Sequence, residues 1–340
     1  MLIEAVDLFC GVGGLTAGLL KAGVKVKAGY DIEPQCQFGY EYNNKNAKFI
    51  LKDVAEVTKE EIDSLYSKGA IRLLAGCAPC QPFSTYNQGK DTRLDKKWPL
   101  LYHFSRLIEE VRPELVTMEN VPDVVKHEVY HDFVAKLEAL GYTVSAQRVD
   151  CVQYGIPQTR KRHVLLASLI SDNISLIPAT HEKPITVKEV IEGLPLLNAG
   201  EQDDSDPLHI CSKLSSLNLK RIRASKPGGT WRDWPEELVA KCHTKSSGKS
   251  YASVYGRMEW DKPAPTITTQ CYGFGNGRFG HPTQDRAISL REAALLQTFP
   301  NNYKFFEGNM NFQSIGRMIG NAVPVRLGEV VGLSLQNGII

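Results

Sequence analysis

The 340-residue sequence has no apolar run that approaches the roughly 20 consecutive residues needed for a membrane-spanning helix. Its amino terminus has no basic region followed by a cleavage site, so we expect no secretion signal. It has no internal repeats, and its eight cysteines are scattered instead of forming a disulfide framework. These absences favour a globular protein of a reducing cytoplasm, and we expect no membrane partner.

Net charge is also nearly absent, at +2, but the charges are unevenly distributed. Residues 208–280 contain twelve Lys and Arg against five Asp and Glu, so the remainder of the chain is mildly acidic. This asymmetry is typical of a basic module that binds a polyanion. A solvated basic face would give the same pattern, so charge alone leaves both interpretations open.

Apolar patterns predict strands that alternate with helices over the first half of the chain. The strands are expected at residues 2–9, 24–30, 48–51, 71–75, 115–118, 144–149 and 163–169. The helices are expected at residues 14–22, 59–68, 100–111, 133–140, 289–298 and 324–336. This rhythm is typical of an α/β fold with an open, mostly parallel sheet and helices on both faces. Residues 178–285 lack a strong period and predict an irregular second domain.

Residues whose side chains can react or bind ligands lie at the carboxyl ends of the predicted strands, where ligands of such sheets bind. Residues 76–84 read Gly-Cys-Ala-Pro-Cys-Gln-Pro-Phe-Ser, a stiff, proline-braced loop that presents Cys80 as a candidate nucleophile. A thioredoxin-like redox pair with Cys77 is the alternative, but that fold is much smaller. Zinc would need further ligands, and no second C-x-x-C motif exists, so we expect no metal. Cys77 is interpreted as a buried structural cysteine.

Residues 7–14, Asp-Leu-Phe-Cys-Gly-Val-Gly-Gly, form a glycine-rich turn between a predicted strand and a helix. Glycines there let a ligand approach the backbone closely, and the absence of a following Gly-Lys-Ser/Thr excludes a P-loop. Asp31 and Asp53 end the next two strands, where they can bind ribose hydroxyls and an adenine amino group. This layout favours a nucleoside cofactor, although a tight turn and two helix N-caps would explain the same residues separately.

Three charged residues complete the candidate chemistry. Glu119 ends a short buried strand and is a candidate general acid, with a helix cap as the alternative. Arg160 and Arg162 lie two residues apart, so both point to one face if the stretch is extended. Arginine is suited to holding a base carbonyl or a phosphate. An ordinary surface charge run is the alternative for this pair.

Six motifs occur together in one order, at residues 7–14, 79–82 (Pro-Cys-Gln-Pro), 119–121 (Glu-Asn-Val), 158–162 (Gln-Thr-Arg-Lys-Arg), 291–293 (Arg-Glu-Ala) and 320–324 (Gly-Asn-Ala-Val-Pro). This set resembles the DNA cytosine-5 methyltransferases of bacteria and phages, over residues 1–170 and 288–335. The resemblance implies a Rossmann-like methyltransferase sheet with a second, smaller target-recognition domain. It implies three segments: a catalytic cofactor-binding domain at 1–178, target recognition at 179–285, and a hinge and carboxyl-terminal segment at 286–340.

The resemblance implies S-adenosylmethionine as the cofactor. Its binding residues would be Phe9, Gly11, Gly13, Gly14, Asp31, Ile32, Asp53, Val54, Pro79, Leu100, Asn321 and Val323. The amino-acid portion would lie at the glycine-rich turn, the ribose at Asp31, and the adenine against Ile32 and beside Asp53. The family usually has Glu where this chain has Asp31, and often an aromatic residue in place of Ile32, which would weaken cofactor affinity.

The resemblance also implies a reaction: methylation of carbon 5 of a flipped-out cytosine, through a covalent adduct of Cys80 at carbon 6. Glu119 would stabilise protonation at ring nitrogen 3, and Arg162, supported by Arg160, would hold the carbonyl oxygen. The partner would be duplex DNA, gripped by the basic segment. The candidate DNA-contacting residues are Ser84, Arg221, Arg223, Arg257, Thr266 and Thr268.

Family membership would further imply a bacterial cytoplasm or a phage-infected host. We expect a monomer, as for an enzyme that acts on one strand at a time, and the sequence leaves open whether a cognate restriction endonuclease is present in the same cell. Two alternatives remain at this point. The first is a transfer-RNA cytosine-5 methyltransferase, which usually carries a Cys-Phe-Thr tripeptide that this sequence lacks. The second is a catalytically silent DNA-binding relative, which would have lost the nucleophile or the acid, whereas Cys80 and Glu119 are both present.

Overall fold

The computed structural model describes residues 2–79, 99–245, 248, 250–309 and 311–339. Two predicted site residues, Cys80 and Ser84, therefore lie outside the described residues. Within the described part of the chain, no helix combines the length and the apolarity needed to cross a bilayer.

The strands of the described residues form one sheet of seven, in the order β3-β2-β1-β4-β5-β7-β6. They are β1 (Ile3–Leu8), β2 (Lys25–Asp31), β3 (Lys48–Leu51), β4 (Ile71–Gly76), β5 (Leu115–Asn120), β6 (Thr143–Asp150) and β7 (Lys161–Ser168). The pairs among β1 to β5 are parallel, and β7 pairs antiparallel with both β5 and β6. The predicted α/β fold with a mostly parallel sheet is confirmed.

Helices cover both faces of this sheet. They are α1 (Gly14–Lys21), α2 (Cys36–Asn43), α3 (Lys59–Leu65), α4 (Pro99–Val111), α5 (Glu128–Ala139), α6 (Val187–Ile191), α7 (Ser216–Ala224), α8 (Leu290–Leu296), α9 (Phe312–Asn321) and α10 (Val325–Asn337). Along β1, Ile3 and Ala5 face one core, whereas Val6 and Leu8 face the other. All six residues of β1 are buried, because a central parallel strand has helices on each side.

Four helices of the described residues, α2, α6, α7 and α9, are not among the predicted ones. In α9 the apolar residues recur at helical spacing, but Gly316 and Gly320 interrupt the pattern and lower helix propensity. Tertiary contacts explain both glycines, since added Cβ atoms would lie 2.2 Å from the Tyr272 ring and 2.2 Å from the Thr268 carbonyl carbon. Packing therefore overrides local propensity in this helix.

The region at residues 178–285 contains two short helices, α6 and α7, and several single 3-10 turns among its described residues. A small core of its own contains Ile222, Trp231, Trp234 and Phe274. The division of the chain into three segments stays a prediction.

The last helix, α10, returns to pack against α1 next to the glycine-rich turn. Gly18 makes this close approach possible, because a Cβ there would lie 2.3 Å from the carbonyl oxygen of Val325. The same contact brings Val323 beside Gly14, so the carboxyl-terminal segment reaches the carboxyl end of β1.

We expect Gly18→Ala to lower the free energy of unfolding by at least about 2 kcal/mol, because the methyl group must push two helix backbones apart. Urea unfolding measures this change. Gly193→Ala is the matched control, since nothing lies within 4 Å of its added Cβ, and it should stay within about 1 kcal/mol of wild type. Equal effects of the two substitutions would contradict the tight α1–α10 contact.

Candidate functional site

A cavity of about 490 Å³ lies at the carboxyl ends of β1, β2, β4 and β5. This size is within the usual range of small-molecule sites. The predicted cofactor residues that line it are Phe9, Gly11, Asp31, Ile32, Asp53, Val54, Pro79, Leu100, Asn321 and Val323. Glu119, Arg160 and Arg162 line the same cavity. One cavity thus brings together residues that are more than 300 positions apart in the sequence.

Gly13 and Gly14 are the two predicted cofactor residues that do not line this cavity. Gly13 has a φ of 90°, and a Cβ there would lie 2.5 Å from the side-chain nitrogen of Asn44. A Cβ on Gly14 would lie 2.2 Å from the carbonyl oxygen of Val323. Both glycines are therefore required by packing of the chain on itself, and their role as cofactor contacts stays a prediction.

Asp31 holds the glycine-rich turn in place. Its Oδ2 accepts a hydrogen bond from the Gly11 N–H at 2.8 Å, and its Oδ1 accepts one from the Glu33 N–H at 2.9 Å. Burial raises the pKa of Asp31, and the backbone donors oppose that shift. Asp31 therefore connects the ends of β1 and β2 and is not a helix N-cap.

Asp53 acts as an N-cap, as the alternative interpretation proposed. Its Oδ1 accepts a hydrogen bond from the Ala55 N–H at 2.9 Å, at the start of the 3-10 turn Val54–Glu56. Asp53 is nevertheless exposed and lines the cavity together with Val54. The cap thus fixes a turn that forms part of the cavity wall.

Asp7 also lines the cavity, although the sequence predicts no separate role for it. It is 1% exposed, and its Oδ2 accepts a hydrogen bond from the Thr16 hydroxyl at 2.7 Å. Its Oδ1 has no hydrogen-bond partner within the described residues. Burial raises the pKa of Asp7 to about 7. An acidic residue inside an apolar strand is the sequence signal that could have identified it.

Helix α9 supplies one wall of the cavity, and the sequence-based prediction includes only one of its lining residues. Ser314, Arg317 and Met318 line the cavity along with the predicted Asn321. These four residues are spaced i, i+3, i+4 and i+7, which places them on one helical face. That spacing is the signal that could have found them.

Glu119 is 5% exposed and lies at the end of β5. Its Oε2 accepts a hydrogen bond from the Cys77 thiol at 2.7 Å. Its Oε1 lies 2.7 Å from the Nε of Arg162, an ion-pair contact without hydrogen-bond geometry. The expectation that Cys77 is buried is therefore wrong, because Cys77 is half-buried, lines the cavity and contacts the candidate acid. It also packs against the hydrophobic core, so its structural role stays a prediction.

Arg160 and Arg162 reach the cavity together, as the extended stretch predicts. Arg160 is 3% exposed, and its Nη1 donates to the carbonyl oxygen of Ile267 at 3.0 Å. Burial lowers the pKa of Arg160 to about 10, so it remains protonated at neutral pH. The carboxylate of Glu119 and two guanidinium groups thus lie side by side, an arrangement suited to the polar edge of a planar heterocycle.

The stretch that carries these arginines is bound to a segment of the irregular region. The Thr159 N–H donates to the Ala264 carbonyl at 2.8 Å, and the Thr266 hydroxyl donates to the Thr159 carbonyl at 3.2 Å. The Ile267 N–H donates to the side-chain oxygen of Gln158 at 3.1 Å. Thr266 is therefore a partner of the arginine stretch, and the half-buried Thr268 lies two residues further along the chain.

The predicted DNA-contacting arginines differ in their surroundings. Arg223 has a side chain that is 62% exposed and is ion-paired with Asp285 at 3.1 Å. Arg221 is half-buried, donates to the Leu238 carbonyl at 2.9 Å, and lies over the ring of Trp234. Of the two, Arg223 is the more accessible cation.

Arg257 is buried inside the irregular region, where its guanidinium donates to four backbone carbonyls and to Asp285. Its donors are thus used within the fold. We therefore do not propose Arg257 as a phosphate contact, which corrects the prediction from sequence.

Comparisons with known proteins agree with this geometry. The sequence profile described as C-5 cytosine-specific DNA methylase matches residues 3–337. The chain is 54% identical to the Type II methylase M.HgiDII of Herpetosiphon aurantiacus, over 99% of this chain and 96% of the relative. It is 31% identical to the Type II methyltransferase M.Eco47II of Escherichia coli, over 97% of this chain and 78% of the relative. A putative DNA modification methyltransferase encoded within an E. coli prophage has the same fold, with a TM-score of 0.70, 23% identity and 99% of each chain covered.

The raised pKa of Asp7 predicts a pH-dependent loss of stability. The unfolded chain releases this proton near pH 4, whereas the folded chain retains it up to about pH 7, so stability falls as pH rises through that window. The loss is up to about 1.4 kcal/mol per pH unit. We expect Asp7→Asn to remove this slope, so that the stability of the variant rises relative to wild type between about pH 4 and 7 and the difference stays constant above pH 7. Urea unfolding at intervals of one pH unit measures it, and parallel curves for the two proteins would contradict it.

Proposed function

Because the chain belongs to the C-5 cytosine-specific DNA methylase family, we propose that it methylates a flipped-out cytosine in duplex DNA, with S-adenosylmethionine as the methyl donor. The family and its Type II relatives make the chain a DNA (cytosine-5) methyltransferase. The observation that supports the finer proposal is the single cavity. One part of its wall contains Asp31 and Asp53, which suit a nucleoside. Another part contains the carboxylate of Glu119 and the guanidinium groups of Arg160 and Arg162.

The cavity fits the chemistry of S-adenosylmethionine. The Asp31 carboxylate would bind the ribose hydroxyls, and Ile32, which is 67% exposed, would be covered by the adenine ring. The buried, partly unpartnered carboxyl group of Asp7 and the turn at Gly11 would face the amino-acid portion. When bound, the cofactor supplies a methyl group on a positively charged sulfur.

The proposed reaction uses Cys80, which lies outside the described residues, as the nucleophile. Carbon 5 of cytosine is a weak nucleophile, so attack of the Cys80 thiolate at carbon 6 forms an S–C bond and makes carbon 5 an enamine carbon. After carbon 5 accepts the methyl group, a base removes its proton, and the bond between Cys80 and carbon 6 breaks. Covalent catalysis thereby replaces one difficult step with easier ones.

Glu119 and Arg162 would act on the cytosine ring during this attack. Glu119 would hold a proton at ring nitrogen 3, and Arg162 would donate to the ring carbonyl oxygen, so that both favour electron withdrawal from carbon 6. Preorganised groups of this kind typically contribute a few kcal/mol each. The Cys77 thiol, bound to Oε2, and Arg162, next to Oε1, support the carboxylate from two sides.

The target cytosine would have to leave the duplex to reach this cavity, at a cost of a few kcal/mol. We propose that the basic segment at residues 208–280 holds the DNA during this step. Arg223 is the exposed cation that best fits a phosphate contact there. A monomeric enzyme and a cognate restriction endonuclease complete the proposal.

We expect Cys80→Ala to abolish methyl transfer while cofactor and DNA binding remain, because only the nucleophile is removed. Mass spectrometry of nucleosides after incubation with duplex DNA measures 5-methylcytosine, and a parallel reaction with transfer RNA tests the alternative substrate. Cys242→Ala, at an exposed cysteine, is the control and should keep full activity. Residual activity of Cys80→Ala would contradict the nucleophile assignment. Methylation of transfer RNA alone would contradict DNA as the substrate.

We expect Arg223→Gln to weaken DNA binding several-fold and to reduce the salt dependence of log K by about 0.9, the value for one phosphate contact. Lys188→Gln removes the same charge from an exposed residue of α6 that is paired with Glu192, and should leave the slope unchanged. Fluorescence anisotropy with labelled duplex at several salt concentrations measures both slopes. Identical slopes for the two variants would refute a contact specific to Arg223.

A further inference from the structure

Arg106 makes an unusual set of contacts on the outer side of the cavity wall. Its Nη2 donates to the carbonyl oxygen of Val57 at 2.9 Å and approaches those of Val54 and Ala55 at 3.4 Å each. Its Nη1 is ion-paired with Glu110, one turn later on α4, at 2.9 Å. One guanidinium therefore contacts three carbonyl oxygens of a single short turn.

That turn is the part of the cavity wall that contains Asp53 and Val54. Within the turn, the carbonyls of Asp53 and Val54 accept from the Glu56 and Val57 N–H groups, whereas those of Ala55 and Val57 have no donor in the turn and need an outside partner. Asp53 caps the amino-terminal end of the turn, and Arg106 binds its carbonyl oxygens. The rigid fork of arginine suits this task better than a single ammonium group would.

Arg106 does not itself line the cavity. It lies instead at a shallow surface depression on the other side of the turn, together with Thr58 and Glu110. Any effect of Arg106 on a ligand must therefore pass through the turn. Helix α4 contributes twice to this side of the site, because Leu100 in its first turn lines the cavity directly.

We propose that Arg106 is a positioning residue for cofactor binding, which holds the turn at residues 53–57 in the shape that receives the adenine end of the cofactor. The inference rests on the proposed function, because the proposed function places the adenine end of S-adenosylmethionine beside this turn. Glu119 lies on β5 and Arg162 on β7, and neither belongs to the turn that Arg106 holds. The methyl-transfer step should therefore not depend on Arg106. The expected signature is a higher KM for the cofactor at an unchanged kcat.

Arg106→Met tests the inference, because it keeps an aliphatic stem and removes every donor. We expect about a tenfold increase in the Kd for S-adenosylhomocysteine, measured by isothermal titration calorimetry on the full-length protein. The KM for S-adenosylmethionine should rise to a similar degree. The kcat at saturating cofactor and the KM for DNA should stay within twofold of wild type.

Two further variants separate positioning from general stability. Glu110→Gln removes the ion pair but leaves the guanidinium on the turn, so it should bind S-adenosylhomocysteine within twofold of wild type. Arg106→Lys retains the charge and one donor direction, so its Kd should lie between those of wild type and Arg106→Met. If Arg106→Met does not fold, the comparison of Arg106→Lys with Glu110→Gln still decides the question.

Three outcomes would overturn the inference. They are an unchanged Kd in both Arg106 variants, a loss of kcat without a change in cofactor KM, and an equal effect of Glu110→Gln. A wild-type protein that fails to bind S-adenosylhomocysteine would instead contradict the proposed function, and the inference with it. The two failures are therefore distinguishable in one titration series.

Discussion

The side-chain amide of Gln158 connects three parts of the chain at the centre of the molecule. It is fully buried, and its Nε2 donates to the Leu296 carbonyl and to the side-chain oxygen of Gln297, both at 2.8 Å. Its oxygen accepts from the Ile267 N–H, and Ile267 in turn accepts from Arg160. A buried amide that lost these partners would retain unsatisfied polar groups, so the three parts are held in one arrangement. The position of Arg160 in the cavity depends on this network.

The carboxyl-terminal helices connect the same network to the side of the cavity that contains the glycine-rich turn. Gln297 donates onward to the carbonyls of Ile319 and Ala322, at the end of α9 and just beyond it. The contact of α10 with α1 then fixes Val323 beside the glycine-rich turn. Residues from both ends of the chain therefore form one wall, although the irregular region at residues 178–285 separates them in sequence. The side of the cavity with Arg160 and the side with the glycine-rich turn share a common buried support.

Much of the fold and of the site could be predicted, and the failures have physical causes. The parallel strands, the carboxyl-end location, and the roles of Asp31 and Glu119 as cavity residues follow from short-range patterns. Arg257 is predicted as a phosphate contact, yet its guanidinium is occupied by contacts within the fold. Gly13 and Gly14 are predicted as cofactor contacts, and close contacts within the fold require glycine at both positions as well. Helix α9 was missed because Gly316 and Gly320 serve packing against a distant segment. Residue type alone does not distinguish a glycine that admits a ligand from one that admits another part of the chain.

The amino-acid sequence by itself determined the α/β sheet, the order of the motifs and the family, because each of these depends on residues that are close together along the chain. Tertiary structure alone decided which residues meet: Cys77 with Glu119, Arg160 with Ile267, and Arg106 with the turn after β3. Such contacts join residues about 40 to 110 positions apart. Their geometry depends on how whole elements pack, because local periodicity specifies a face of a helix or strand but not the partner that the face will contact.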